Sequence, residues 1–317
     1  MSSVRVLVTG AAGFVGLELT KAFLEAGHDV VALDKVEGGL AGLKHPRLSV
    51  VLGGVEEHDV VKRAVEGVDV VVHCAWSFAQ RALDAFRVDL AGYANVLELS
   101  SEAGVKHFMF ADSTIAYGRP LWIPVDEQHP LIPYASRAPL YALTRVITLE
   151  LNELFRRTKG LNYTIFRFWW AFSDERIPGR TLRRLIDRAL SGEEIEVPSG
   201  AGGSVVYTGD LAKFLLAAAL NERVFNEVIN VASFYVTWEE LVKKLIELAG
   251  SPSRVKLVPE EEWRGEAFLT GRWLLDTTRA RKLLGVAVDE EARRAKFFEV
   301  LSSMVSTRKS ELASGRA

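Results

Sequence analysis

Short apolar runs rich in valine alternate along the first half of the chain with stretches whose apolar positions recur every three or four residues. The first spacing belongs to strands buried on both faces, the second to helices with one apolar side. Strands are therefore predicted over 5–9, 28–34, 48–52, 68–73, 107–111 and 163–167, and helices over 14–26, 60–66, 82–103 and 141–158. Strands that are apolar on both faces and separated by helices imply a parallel sheet covered on its two sides, a doubly wound α/β fold.

The pattern changes after residue 168. Pro178, Gly179, Pro198, Gly200, Gly202 and Gly203 surround a short basic helix expected over 180–190. A strand at 204–208, a helix at 210–220 and a strand at 228–231 restore the alternation, and helices dominate from Thr237 onward. This predicts a dinucleotide-type domain made of 1–168 and 204–232, with a smaller, partly helical domain made of 169–203 and 233–317.

Charge and composition then narrow the function. Lys+Arg 39 against Asp+Glu 41 leaves no surplus of positive charge for a nucleic-acid backbone. No run of 18 apolar residues exists, so no membrane-spanning helix is expected, and the apolar stretch at 4–8, which carries Arg5, is too short for a signal peptide. Cys74 is the single cysteine, which excludes an internal disulfide and suits a reducing cytoplasm. His73 and His107 have no second ligand at metal spacing, so no metal centre is expected.

The chemistry begins at Gly10-Ala-Ala-Gly13-Phe-Val-Gly16, between the first strand and the first helix. Glycines there let backbone amides approach a pyrophosphate, and the helix N-terminus offers free N–H groups and partial positive charge to it. Asp34 ends the second strand, where a carboxylate accepts the ribose hydroxyls of an adenosine and repels a 2′-phosphate, favouring NAD over NADP. Lys35 follows directly and softens that discrimination. Trp76 follows the fourth strand and Trp169 and Trp170 the sixth, at the carboxyl ends that open onto a ligand crevice; either pocket walls or core packing accounts for them.

With these motifs in order, the chain resembles the extended short-chain dehydrogenase/reductases, the family of NAD-dependent sugar-nucleotide epimerases and dehydratases. The likeness rests on the GxxGxxG spacing of Gly10, Gly13 and Gly16, on Val70-Val-Val-His-Cys-Ala75, on Ala111-Asp-Ser-Thr-Ile-Ala-Tyr-Gly118, on Tyr141-Ala-Leu-Thr-Arg145, and on Val206-Tyr-Thr-Gly-Asp-Leu-Ala212 and Leu275-Asp-Thr-Thr-Arg-Ala-Arg-Lys-Leu-Leu-Gly285. It implies a Rossmann domain holding NAD, with a smaller substrate domain. It also implies a nucleotide-sugar substrate and a homodimer built on the helices at 82–103 and 141–158. Carried over position by position, it makes Tyr141 the catalytic acid/base, Ser113 the hydroxyl that holds the reacting oxygen, and Arg145 the cation that favours the phenolate from one helical turn away. NAD would lie on Gly10, Ala12, Gly13, Phe14, Val15, Gly16, Asp34, Lys35, Ala75, Trp76, Tyr141 and Arg145. The substrate would meet Ser113, Thr114, Trp76, Trp169, Trp170 and Arg264.

Several positions depart from the family pattern. Arg145 stands where the family has lysine, and arginine supplies charge but cannot pass a proton along a relay. The acid that meets the adenine amine is missing from Gly53-Gly-Val55, the helix asparagine is Asp89, and the arginine that grips the substrate diphosphate appears as Gly203. Arg180, Arg183 and Arg184 are further cations able to compensate, and Asp126 and Glu127 are acids that a dehydratase would draw on. Three readings follow: an epimerase or dehydratase working by hydride transfer, a reductase of a non-nucleotide carbonyl, and an NAD(P)-binding or sensing protein with little or no turnover.

Overall fold

The structure, a computed structural model, describes residues 3–314. Its first half follows the predicted alternation: β1 Arg5–Thr9, α1 Phe14–Glu25, β2 Asp29–Asp34, β3 Leu48–Leu52, α2 His58–Ala64 and β4 Val70–His73. There follow α3 Ala82–Ala85, α4 Ala91–Glu102, β5 His107–Ser113, α5 Pro139–Lys159, β6 Asn162–Phe168 and β7 Trp170–Phe172. The second half contains α6 Arg180–Ser191, β8 Ile195–Pro198, β9 Gly202–Tyr207, α7 Thr208–Ala218, β10 Glu227–Asn230, β11 Phe234–Thr237, α8 Trp238–Ala249, β12 Val255–Val258, β13 Arg272–Trp273, α9 Thr278–Leu284 and α10 Glu290–Ala313.

Seven parallel strands form one sheet in the order β10-β6-β5-β4-β1-β2-β3. The order reverses beside β1, so the carboxyl ends of β1 and β4 part and leave a crevice there. Val6, Val8, Val70 and Val72 face one layer of helices, while Leu7, Val71, Phe108 and Phe110 face the other. Both faces are dry, which is why these strands read as continuous apolar runs rather than as alternating ones.

The chain between α3 and α4, Phe86–Leu90, is a π-turn that carries Asp89 inward. Such a turn was not legible in the helical spacing, because one extra residue leaves the apolar period nearly unchanged.

The strand expected at 204–208 forms, but away from the large sheet. β9 is the centre of a second sheet with β11 antiparallel to it and β7 and β13 parallel to it. From the stretch 204–232, α7 packs against α1 and β10 pairs with β6, while Val206 of β9 still reaches the core of the large sheet. Sequence pattern alone does not assign an apolar strand to one of two sheets. Against this second sheet, Trp169, Trp170, Phe172, Trp238 and Phe297 pack with α6, α8 and α10 into a separate apolar core. Asp210 of α7, fully buried, takes Arg293 of α10 in a two-pronged ion pair at 2.7 and 2.9 Å and Ser233 Oγ at 2.8 Å, tying α7 to α10.

Two buried histidines hold the sheet neutral. His73 Nδ1 meets Thr9 Oγ1 at 3.0 Å and His107 Nε2 meets Thr164 Oγ1 at 2.8 Å. Burial pushes each imidazole down to about 3. An unfolded chain takes up these protons near the ordinary value of 6.5, so stability is complete above that pH and is lost as pH falls from 6.5 toward 3. We expect urea unfolding between pH 7 and pH 5 to show a loss approaching about 1.4 kcal/mol per pH unit for each histidine, and His107→Gln to reduce that slope.

Candidate active site

The strand order places a cleft of about 620 Å³ at the carboxyl ends of β1, β2 and β4. Gly10 turns the chain after β1 at φ 67°, and a Cβ there would lie 2.7 Å from the Ala75 backbone, so β1 and β4 approach closely only with glycine. Gly13 is the N-cap of α1 and brings no side chain, so the first-turn N–H groups of α1 have no side-chain partner. The crevice therefore carries free amides at a helix N-terminus, an arrangement that takes phosphate. Across it, Asp34 accepts Ala12 N–H at 2.9 Å and Val36 N–H at 3.3 Å, which aims its carboxylate at the cleft rim.

Lys35 is held by Glu56 at 2.5 Å. Burial opposes ionisation of Glu56, but the lysine outweighs it and holds the carboxyl below its usual range. The lysine charge is thus already partnered. The far wall is Ala75, Trp76 and Asp89, with Pro178 arriving from the segment between β7 and α6. Asp89 accepts Ser77 N–H at 2.7 Å, and burial raises its pKa. Size, free amides, a ribose-accepting carboxylate and apolar walls fit a nicotinamide dinucleotide.

Next to this cleft, β5 delivers Ser113 and α5 delivers Tyr141 and Arg145. Ser113 caps the 3₁₀ turn Thr114–Tyr117, its Oγ accepting Ile115 N–H at 3.2 Å, and its hydroxyl acts on the Tyr141 phenol in the direction that favours the phenolate. Arg145 Nη2 donates to Tyr141 Oη at 2.9 Å. Its guanidinium carbon lies 3.8 Å from the Trp76 ring centroid and 4.8 Å from those of Phe110 and Tyr141. These faces favour a charged guanidinium by about 0.5–2 kcal/mol each. Below it, buried Asp112 receives Arg145 Nη1 at 3.4 Å and Arg167 Nε at 3.0 Å. Two cations share one carboxylate, so the array keeps a net positive charge under the phenol.

Burial and the Arg145 guanidinium act on the phenol in opposite directions. Burial is the largest influence on Tyr141 and raises its pKa above the ordinary value; Arg145 acts in the opposite direction, and Asp112 returns part of the effect. The guanidinium alone does not make the phenol acidic.

The remaining expected site residues divide. Gly10, Ala12, Gly13, Phe14, Val15, Gly16, Asp34, Lys35, Ala75 and Trp76 line the cleft. Thr114 is buried within its turn. Trp169 and Trp170 lie in the apolar core beside the second sheet, Trp169 stacked on Phe268 and Trp170 donating its indole N–H to Pro178 O at 2.7 Å. A side chain at Gly203 would begin 2.2 Å from the Trp169 ring, so the indole fills the space an arginine would need. Arg264 is exposed and donates to the carbonyls of Glu261 and Trp263. Arg184 pairs with Glu266 at 2.6 Å. Asp112, Arg167 and the Ser77–Asp89 contact carry no sequence motif of their own. Charged residues at 112 and 167 inside otherwise apolar strands were the available signal.

The comparisons agree with this geometry. Residues 6–232 match the model of the NAD dependent epimerase/dehydratase family, so the chain belongs to that family and NAD is its cofactor. It is 28% identical over 241 residues to a Methanocaldococcus jannaschii protein provisionally described as a UDP-glucose 4-epimerase, covering 72% of this chain and 76% of that one. It is 33% identical over 157 residues to a 3-beta-hydroxysteroid dehydrogenase of Mycolicibacterium neoaurum, covering 45% of this chain and 41% of that one. Among solved structures, UDP-glucose 4-epimerase of Thermotoga maritima with UDP-glucose superposes with a TM-score of 0.74 at 24% identity, covering 95% of this chain and 99% of that one.

Gly16 provides the test of the cleft. A Cβ there would lie 2.1 Å from Gly10 O, a backbone atom with nowhere to go. Gly16→Ala is expected to weaken NAD binding by about tenfold or more in calorimetric titration, because displacing the loop misaligns its amides.

Proposed function

We propose that the chain is an NAD-dependent epimerase acting at a carbinol of a nucleotide sugar, with Tyr141 as acid/base and Ser113 as the orienting hydroxyl. The observation that carries this reading is the 2.9 Å bond from Arg145 to Tyr141 Oη beside the dinucleotide cleft. NAD, when bound, supplies the hydride acceptor and a further positive charge beside the phenol. Ser113 holds the substrate oxygen, and Tyr141 takes its proton and returns it.

Arg145 favours an epimerase over a net dehydrogenase. A net oxidation must release its proton to solvent, and a permanently charged guanidinium passes none on. An epimerase gives the proton back to the oxygen it came from and needs no relay. A dehydratase needs an additional acid, and the two loop acids are engaged: Asp126 accepts Gln128 N–H at 3.1 Å, and Glu127 accepts Asn230 N–H at 2.9 Å and approaches Arg279 at 3.6 Å. The relatives described as UDP-glucose 4-epimerases support a nucleotide sugar as the substrate. Exposed Leu143 and Leu154 on α5 give apolar surface for the homodimer proposed on α4 and α5.

A second reading, an NAD-binding protein without turnover, is favoured by the raised Tyr141 pKa together with Arg145. The aromatic surround of Trp76 and Phe78 beside Tyr141, with the steroid dehydrogenase relative, favours a third, oxidation or reduction of a larger apolar carbonyl compound. One experiment separates them. Interconversion of UDP-glucose and its 4-epimer by the purified chain is expected, with Tyr141→Phe reducing it by about 10²–10⁴-fold. Tight NAD without interconversion would favour the second reading, and turnover of a steroid alcohol alone the third. Turnover unchanged in Tyr141→Phe would remove the phenol from the mechanism.

A further inference from the structure

Arg137 lies four residues before Tyr141, just ahead of α5, and takes no part in the chemistry described above. Its guanidinium carbon sits 4.7 Å from the Phe268 ring centroid, so the segment before β13 covers one face of it. The more deeply buried Arg145 and Arg167 share Asp112, and Arg293 has Asp210. Among the described residues no carboxylate pairs with Arg137. Burial pushes it down to about 10, and the group that counteracts this is the Tyr141 phenolate, which places the guanidinium within electrostatic reach of the reacting phenol.

Two clefts meet at this side chain. One, of about 350 Å³, runs past Phe78 to Tyr141. The other, of about 570 Å³, opens between the loop after β5 and the segment before β13, with Arg119 and Arg272 on its walls. Arg137 is half-buried, while Arg119 and Arg272 are exposed. The single acid of the larger cleft, Glu260, is engaged by Gly271 N–H at 2.9 Å.

Withdrawing a guanidinium from water with no counterion is costly, and the cost is recovered when an anionic ligand completes the pair. The site also lacks the cations expected of it, because Trp169 fills the space at Gly203 and Arg264 caps carbonyls elsewhere. We infer that Arg137 is the anion anchor of the substrate pocket, receiving an oxyanion of the substrate while the reacting carbinol lies at Tyr141. A guanidinium fork binds phosphate or carboxylate oxygens in pairs, and its position on the segment leading into α5, within electrostatic reach of the phenol, sets which carbinol of the substrate is presented. The inference rests on the nucleotide-sugar reading and names the group that reading leaves without a partner.

The test uses the full chain with NAD and three probes: UDP, UDP-glucose and UDP-glucuronate. Arg137→Gln is expected to weaken binding by roughly 30-fold or more, as when one partner of a buried charge pair is removed, with NAD affinity unchanged. A loss shared by all three probes assigns the diphosphate as the anion. A loss confined to UDP-glucuronate assigns the sugar carboxylate. Arg137→Lys should recover part of the affinity and show that charge, rather than packing on Phe268, is responsible. Equal affinity of Arg137→Gln and the parent for every probe would overturn the assignment. If the parent chain binds no nucleotide sugar, the nucleotide-sugar reading fails by itself. The anchor is then read with pyrophosphate and free glucuronate: a rise in Tm lost in Arg137→Gln supports it, and the same response in both chains overturns it.

Discussion

The site depends on keeping one positive charge in a place with almost no water. Arg145 is 3% exposed, pressed against Trp76, and separated from Arg167 by the single carboxylate of Asp112. An isolated guanidinium at that depth would be expensive, and Asp112 alone with it would cancel the charge the phenol needs. The second arginine resolves the conflict. It satisfies Asp112 from the other side, so the carboxylate holds Arg145 in place without neutralising the array. β5, β6 and α5 each contribute one member, so the packing of the sheet against α5 and the electrostatics of the proposed reaction centre are the same set of contacts.

This arrangement also explains why a lysine position is filled by arginine. A lysine ammonium is a compact point charge that makes no planar stack with an indole, whereas a guanidinium bonds Asp112 and Tyr141 in its plane while its face lies on Trp76. What is given up is the ability to release a proton. A reaction in which the proton returns to its origin suffers least from that loss, and this is the physical link between the residue at 145 and the kind of chemistry proposed.

Much of the fold was legible in the sequence because its signals are local. The double-sided valine strands, Gly10 and Gly16 at the first turn, and Asp34 at the end of β2 each act within a few residues of where they stand. The sheet to which β9 belongs was not legible, since an apolar strand carries no record of its partner. The same holds for the site. Ser113, Tyr141 and Arg145 were marked by motif, but Asp112 and Arg167 matter only through a pairing across β5 and β6 that register creates. The cations expected on the substrate side were displaced by packing: position 203 faces an indole, and position 264 is turned to its own loop.

The contact between Gly203 and Trp169 bears on how this pocket can be altered. The ring stacks on Phe268 and abuts Trp238, so it is fixed by aromatic neighbours rather than free to swing aside. Grafting a relative's side chain at position 203 by itself meets that wall. The two sites, one on β9 and the other between β6 and β7, form a single unit of redesign, in which a larger residue on the strand becomes compatible only when the indole is trimmed in the same step.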